Sequence, residues 1–193
     1  FNASVYETLK DNYEDKYEYI LPEITLDKNI LSNEKFGNLD LQTNVKVHNY
    51  ETNKFTSFFV NNFEWSSNDI VLNSKIKNKF LAKFKNINYE ARNIDIYKDD
   101  PTNELHGAIG LFSEIDLQKR RNNFTHLLTP KLLLKLSPGN MRKEDGGDRL
   151  TPINAFNLER LNKINNFETG NTATLGFDFN IKEEDTEKFN FSV

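Results

Sequence analysis

Few residues of this sequence have the types and spacings that perform chemistry. The three histidines, His48, His106 and His126, have no cysteine partner and no second histidine four positions away, so no metal site is indicated. No serine lies in a G-x-S-x-G context. The Asp-Gly-Gly-Asp segment at 145–148 lacks the regularly spaced ligands of a calcium loop, which favours a flexible turn. The sequence therefore predicts a protein that is not an enzyme and has no metal or other cofactor.

Polar side chains instead alternate with apolar ones along extended segments. Residues 37–50 give the clearest example, because nearly every second residue is polar and the residues between are apolar. A period of two predicts a β-strand with one polar and one apolar face. The polar positions of this strand are Asp40, Gln42, Asn44, Lys46 and His48, and the apolar positions are Leu39, Leu41, Val45 and Val47.

Two later segments, residues 105–118 and 173–181, repeat this alternation. The pattern alone fits two kinds of protein. In a soluble protein the apolar face would pack in a core and the polar face would contact water, whereas in a membrane barrel the apolar face would contact lipid and the polar face would line a water-filled pore. The polar positions of the first segment include Glu114 and Asp116, and the apolar positions of the second include Leu175, Phe177 and Phe179.

Composition narrows the class of protein. The 193 residues include 25 basic and 29 acidic side chains, giving a net charge of -4, so no basic surface indicates nucleic-acid binding. No run of about 18 apolar residues is present, which excludes a transmembrane helix, whereas a membrane barrel needs only strands of about 9–11 alternating residues. The absence of cysteine excludes disulfides and thiol chemistry.

Alternating segments recur along the whole chain, many at hairpin spacing, and predict eight or nine antiparallel strands in up-and-down order without a helix. Several run to a dozen or more residues, against about 5–6 for a typical soluble strand, and such length is typical of tilted barrel strands. Residues 140–170 lack clear periodicity apart from a possible strand at 155–161. We predict a long loop there, or two short strands joined by one.

Two local features add expectations. Pro130 removes one ladder hydrogen bond, so it is predicted to lie at a strand start or a bulge. Several aromatic residues near predicted strand ends are either an interfacial girdle or ordinary core and strand aromatics. They are Tyr17, Tyr19, Tyr50, Trp65 and Tyr89.

The C-terminal third carries an ordered series of motifs. A strand containing Pro130 precedes a long Gly/Asp loop, then a Phe-x-x-x-Arg-Leu element with Arg160. A Glu-x-Gly hairpin formed by Glu168 and Gly170 follows, and then a strand with a Gly-aromatic step at Gly176. In this order the motifs resemble the middle-to-late barrel of the LPS-assembly protein LptD family, also called the organic-solvent-tolerance family.

The resemblance extends over nearly the whole chain and has one departure. The segment YILPEITL, which contains Pro22, resembles the Pro-containing strand start of the family. Residues 162–165, Asn-Lys-Ile-Asn, stand where the family usually has an Asp after its Arg-Leu pair.

The resemblance implies that residues 1–193 are part of an LptD-type barrel, supplying roughly eight to ten strands of a larger outer-membrane β-barrel, without the N-terminal jelly roll or a signal peptide. It implies non-catalytic insertion of lipopolysaccharide into the outer leaflet of a Gram-negative outer membrane. The implied partners are lipopolysaccharide, an LptE-type plug lipoprotein and, through the N-terminal domain, an LptA-type periplasmic bridge. The polar positions named above would line the lumen, and the apolar ones would face lipid.

Two other classes share parts of the pattern. A generic outer-membrane porin or passive transporter would have the same lipid-facing alternation without the motif order. A soluble periplasmic lipid-binding jelly roll would have shorter strands around an apolar interior.

Overall fold

The computed structural model describes residues 1–10, 14–72, 75–143, 147–184 and 186–193. These residues form eleven β-strands and no α-helix, so none of them belongs to a helix that could cross a membrane. In chain order the strands are β1 (Asn2–Glu7), β2 (Tyr17–Asn33), β3 (Gly37–Tyr50), β4 (Phe55–Ser66), β5 (Ile70–Leu72), β6 (Ile76–Arg92), β7 (Thr102–Ile115), β8 (Leu117–Arg121), β9 (Phe124–Leu136), β10 (Thr172–Glu183) and β11 (Thr186–Ser192).

All eleven strands lie in one antiparallel sheet, which confirms the predicted all-β, up-and-down fold. Nine of them follow one another in the order β1-β2-β3-β4-β6-β7-β9-β10-β11. The two additional strands are short: β5 extends β4 along the edge of β6, and β8 extends β7 along the edge of β9. The sheet is open, with β1 at one edge and β11 at the other.

The two faces of the sheet differ in chemistry because successive side chains of a strand lie on opposite sides. Leu41 and Phe63 are paired on one face, which we call the apolar face. Gln42 and Asn62 are paired on the other, which we call the polar face. The segment 137–171 lies between β9 and β10, and we call it the covering loop. Its described residues, 137–143 and 147–171, fold back over the polar face.

The connections at the two ends of the sheet differ in length. At one end, which we call the turn end, residues 34–36, 73–75, 122–123 and 184–185 join consecutive strands. At the other, the loop end, the connections are 8–16, 51–54, 93–101 and the covering loop. Long connections are therefore confined to one end of the sheet.

Both prolines of the predicted motifs lie inside strands. Pro22 follows a cis peptide bond, at an irregularity in the pairing of β2 with β3 between Ile20 and Glu23. The prediction that Pro130 lies at a strand start or a bulge is wrong, because it pairs with Phe177 within β9 in regular register. On its other side the ladder is interrupted between β7 and β8, where a proline has no N–H to donate.

The possible strand at 155–161 is absent, because most of these residues form turns and bends. Phe156 and Leu158 instead pack on the polar face, against Leu133 and its neighbours. The Asp-Gly-Gly-Asp segment at 145–148 lies partly outside the described residues.

Candidate functional site

The strongest chemical feature is the polar face beneath the covering loop, where charged side chains are buried. Lys85 of β6 and Lys135 of β9 are only 3% and 2% exposed. Glu159 of the covering loop is 5% exposed. Ionised side chains are almost never this buried unless they are paired, so their partners determine what the site can do.

Lys85 is bonded by three groups of the covering loop. Its ammonium group donates to Glu159 Oε1 (2.6 Å), to the carbonyl of Lys163 (2.7 Å) and to the carbonyl of Asn166 (3.0 Å). An ammonium group has three donors, so all of them are satisfied. Glu159 Oε2 also lies 3.3 Å from the ammonium of Lys83, two residues earlier on the same face.

A second ionic contact forms around Glu168 of the covering loop. The guanidinium of Arg160 binds both carboxylate oxygens of Glu168, and the Arg160 backbone N–H donates to Oε2 at 3.0 Å. Lys135 donates to the backbone carbonyl of Glu168 (2.9 Å). Burial alone would raise the pKa of the Glu168 carboxyl, but the Arg160 hydrogen bonds and the Lys135 charge together hold it below its ordinary value.

Arg142 of the covering loop makes a third attachment. Its Nη2 lies 3.2 Å from Glu104 Oε2 of β7 and donates to the carbonyl of Asn165 (2.6 Å). The guanidinium also lies over the rings of Tyr89 and Tyr97, at 5.1 and 4.7 Å from their centroids. Tyr89 is thus buried on the polar face, so it is not part of an interfacial girdle.

An apolar contact supplements these ionic ones. Leu158 and Phe167 of the covering loop are buried against Ala108 of β7 and Leu133 of β9. The Phe167 ring also stacks on His106, with 5.8 Å between centroids and 8° between planes. The covering loop is therefore attached through both apolar packing and buried charge.

The predicted polar positions of β3 all lie on the polar face, beside the covering loop. Asp40 accepts a hydrogen bond from Asn29 (2.7 Å), and Gln42 donates to Asp27 (2.8 Å). Both side chains are exposed. Asn44 is buried and accepts from Thr25 (2.9 Å), Lys46 lies 3.8 Å from Glu23, and His48 lies 3.2 Å from Glu18 and stacks on Tyr50.

The two predicted acidic positions of the later segment lie at the turn end. Glu114 ends the polar face of β7 and is 3.8 Å from Lys77. Asp116 is not in a strand, contrary to the prediction, because it occupies the interruption between β7 and β8, where Thr129 of β9 donates to its carboxylate at 3.0 Å. It accepts from Lys77 at 2.6 Å, and the Lys77 hydrogen bond lowers the pKa of the Asp116 carboxyl.

The predicted apolar positions, Leu39, Leu41, Val45, Val47, Leu175, Phe177 and Phe179, share the apolar face. This face is uncovered in the described chain: Leu175 is 77% exposed and Ile109 is 59% exposed. Trp65 lies on it as well, and its indole N–H donates to the carbonyl of Phe36 (2.7 Å). Exposed apolar area of this extent marks a contact surface.

Hydrogen-bonded polar pairs border the apolar face along β6. Towards the loop end, Asn88 donates to Asn86 (2.7 Å) and Asn103 donates to Asn88. Towards the turn end, Ser113 donates to Asn78 (2.7 Å). Between Asn78 and Asn86 the apolar face of β6 carries Phe80, Ala82 and Phe84.

The other motif residues are placed as follows. Gly170 has a φ of 113° and donates its N–H to the carbonyl of Ser137 (2.8 Å), which closes the base of the covering loop. Gly176 lies on the polar face, where a Cβ would be 2.9 Å from the Phe156 ring. Arg160 and Glu168, eight residues apart in sequence, are direct partners.

Sequence reasoning missed the partners that attach the covering loop. Lys83 and Lys85 stand out as polar positions of an alternating strand, but nothing in the sequence connects them with Glu159. Among the described residues no group of three or more histidine, aspartate or glutamate side chains is arranged to hold a metal ion.

Comparisons of the chain with known proteins add no assignment. No model of a known protein family matches it, and no curated protein matches its sequence. The functional argument therefore depends on the residues and the geometry.

Proposed function

We propose that this chain forms part of the wall of an outer-membrane β-barrel that delivers lipopolysaccharide to the outer leaflet, as in the LptD family that its motifs resemble. The observation that carries the proposal is the distribution of side chains on the sheet. The face with Leu175 and Ile109 is exposed, whereas the face with Lys85 and Lys135 is covered and holds buried ion pairs. A membrane barrel requires this arrangement, with an apolar exterior and a polar interior.

A soluble jelly roll is less well supported. Such a protein packs the apolar faces of two sheets together and exposes the polar faces to water. Here the packing lies on the polar face, and the apolar face has no second sheet against it in the described chain. The strands are also long: β2 and β6 have 17 residues each and β3 and β7 have 14, more than the about 9–11 needed to cross a bilayer.

The dimensions of the apolar band agree with a bilayer. From Asn78 to Asn86, a strand that rises about 3.3 Å per residue and is tilted by about 40° spans roughly 20 Å of depth, against a barrel apolar band of about 25 Å. The polar pairs at Asn78 and at Asn86 would then lie near the two membrane–water interfaces.

The lengths of the connections support an orientation. Outer-membrane barrels have short periplasmic turns and longer extracellular loops. The turn end would therefore face the periplasm, and the loop end, including residues 93–101, would face the cell exterior.

The proposal requires additional strands. β1 and β11 are unpaired edges, and a sheet inside lipid needs every backbone N–H and C=O paired. Within such a barrel the polar face would contact the polar head of lipopolysaccharide or an LptE-type plug, and an LptA-type bridge would deliver the lipid from the periplasm.

A passive channel is the second candidate. The covering loop lies inside the curve that such a barrel would enclose, and barrel interiors can be closed by inward-folded loops. This candidate explains the two faces equally well. It does not explain the ordered motifs around Pro130, Arg160 and Glu168, which support the LptD-type function.

Cysteine labelling of the complete protein in intact cells tests the membrane placement. Because this chain has no cysteine, single cysteines replace Leu41, Gln42, Leu175 and Asp178 without a local background. We expect spin labels at 41 and 175 to collide with oxygen in lipid, and thiols at 42 and 178 to react with a water-soluble reagent. Shielding of positions 41 and 175 from both probes would indicate a protein core and favour the jelly roll.

Photocrosslinking separates lipopolysaccharide delivery from a passive channel. A photoreactive amino acid replaces Gln42, an exposed residue of the polar face, and a matched one replaces Thr43 on the apolar face. We expect lipopolysaccharide adducts at 42 in cells that export lipopolysaccharide, and their loss when export is blocked upstream. Adducts at neither position, with normal solute flux, would favour the channel.

A further inference from the structure

A cavity of about 940 Å³ lies on the polar face at the loop end. Its floor is formed by β3 and β4, including Lys46 and Phe58, and its walls by loop residues such as Ile96, Met141 and Lys143. Three separate parts of the chain therefore converge on one space: residues 46–58, residues 94–97 and, from the covering loop, residues 141–143 and 162–165. Its volume is in the range of small-molecule sites, which is about 300–1,000 Å³.

The charge of the cavity lining is one-sided. Lys46, Lys143 and Lys163 line it together with His48, and no acidic residue of the described chain does so, although the protein as a whole has more acidic than basic residues. Two carboxylates of β2 contact lining side chains: Glu23 is 3.8 Å from Lys46, and Glu18 is 3.2 Å from His48. The charged side chains that line the cavity in the described chain are therefore all lysines, which favours an anion over a cation.

The same cavity contains exposed aliphatic side chains. Ile96, Met141 and Ile164 are 49%, 40% and 39% exposed, and all three lie in connections between strands, where polar residues are the rule. Phe58 and Tyr97 add aromatic surface, with their rings in edge contact at 5.3 Å. Loop residues of this type bring apolar area next to the lysines.

We propose that this cavity binds an anionic amphiphile, with its acidic head at Lys46 and Lys143 and its aliphatic part against Ile96, Met141 and Ile164. Phosphate and carboxylate heads share the chemistry that lysine ammonium groups recognise, as acceptors of charge-assisted hydrogen bonds. The inference depends on the cavity and not on lipopolysaccharide delivery, so the two can fail separately.

Binding of simple probes tests the proposal. The complete protein in phosphatidylcholine nanodiscs is titrated with dodecyl phosphate, dodecanoate and neutral dodecyl maltoside, with empty nanodiscs as the background. We expect the anionic probes to bind at least about tenfold more tightly than the maltoside, and higher salt to weaken them, because exposed charges are screened. Equal binding of all three overturns the proposal. Binding of both anions assigns the recognition to charge, and binding of the phosphate alone assigns it to the phosphate head.

Matched variants locate the site. The double variant Lys46→Gln, Lys143→Gln is expected to lower the affinity for dodecyl phosphate about tenfold or more. The control variant Lys98→Gln changes an exposed lysine outside the lining and is expected to leave the affinity unchanged. Ile96→Asn is expected to lower the affinity for dodecyl phosphate. Ile153→Asn, at a 91% exposed position outside the lining, is expected to leave it unchanged. Equal effects of site and control variants overturn the assignment. A photoreactive dodecyl phosphate that labels only peptides outside 46–58, 94–97 and 141–165 also overturns it.

Discussion

Removing the carboxylate of Glu159 should release the covering loop from the sheet. Glu159→Ala leaves Lys85, which is 3% exposed, without its only anionic partner among the described residues. Breaking a buried ion pair by deleting one partner costs about 3–5 kcal/mol. The carbonyls of Lys163 and Asn166 remain as acceptors, so we expect the lower end, about 3 kcal/mol.

Hydrogen exchange of the covering loop measures this free energy locally. Two backbone amides report on it: Gly170 donates to Ser137 (2.8 Å), and Asp148 donates to Leu161 (2.9 Å). About 3 kcal/mol corresponds to a roughly 150-fold loss of protection if the loop opens as a unit. Amides of β3, whose ladder does not involve the loop, should keep their protection.

Glu64→Ala is the matched control. Glu64 and Glu159 are each 3.3 Å from the ammonium of Lys83, but the side chain of Glu64 is 62% exposed and that of Glu159 is 1% exposed. Exposed ion pairs contribute about 0–1 kcal/mol, so Glu64→Ala should lower loop protection less than about fivefold. If Glu159→Ala lowers it by a similarly small factor, burial of this charge does not attach the loop, and the reasoning is refuted.

Three further outcomes are expected. Because the folded pKa of Glu168 is lowered, its contribution to loop attachment is complete above its ordinary pKa of 4.5 and is lost as the pH falls through the folded value. A spin label at the exposed position 153 should therefore become mobile on acidification, and Glu168→Gln should mobilise it at neutral pH; an immobile label in both cases contradicts this role. Gly110→Ala should lower the free energy of covering-loop opening, measured by hydrogen exchange, by about 1–3 kcal/mol, because its Cβ would be 2.6 Å from Leu158 and 3.1 Å from a backbone carbonyl. The control Gly107→Ala should leave it unchanged, because the nearest atom to its Cβ would be 3.6 Å away. Ile109→Arg should destabilise the complete protein in vesicles by about 2–4 kcal/mol in denaturant titrations, and a neutral effect would argue against a lipid-facing apolar face.

The faces of the strands could be predicted from the sequence because alternation is a property of the extended backbone itself. Leu41 and Gln42 lie on opposite faces whatever the sheet packs against. The position of Pro130 could not be predicted from its own neighbours, because its missing N–H faces an interruption in a different part of the chain, between β7 and β8. Predicting it required knowledge of the pairing partner.

The covering loop was beyond prediction for a different reason. Its contacts pair residues far apart in sequence, such as Lys85 with Glu159, and no periodicity marks such pairs. Phe156 and Leu158 belong to the possible strand predicted at 155–161, but both pack on the polar face of the sheet from a segment of turns and bends. A short alternating run predicts buried side chains more safely than it predicts a strand.

The way in which the covering loop is attached follows from the character of the face that it contacts. A face that must remain wet in a barrel interior offers few apolar side chains, so the small cluster around Leu133 and Phe167 cannot hold a long segment alone. Buried ion pairs at Lys85 and Lys135 supply the rest of the attachment of the covering loop to the sheet, and their positions confine the loop to β6, β7 and β9. The polar side chains of β2 and β3 that remain exposed, Asp27, Asn29, Asp40 and Gln42, are then the surface available to a polar molecule that passes along this wall. Because hydrogen-bonding carboxylates and amides predominate there, that surface is better suited to sugar hydroxyl groups than to phosphates, whose preferred partners are the lysines of the loop-end cavity.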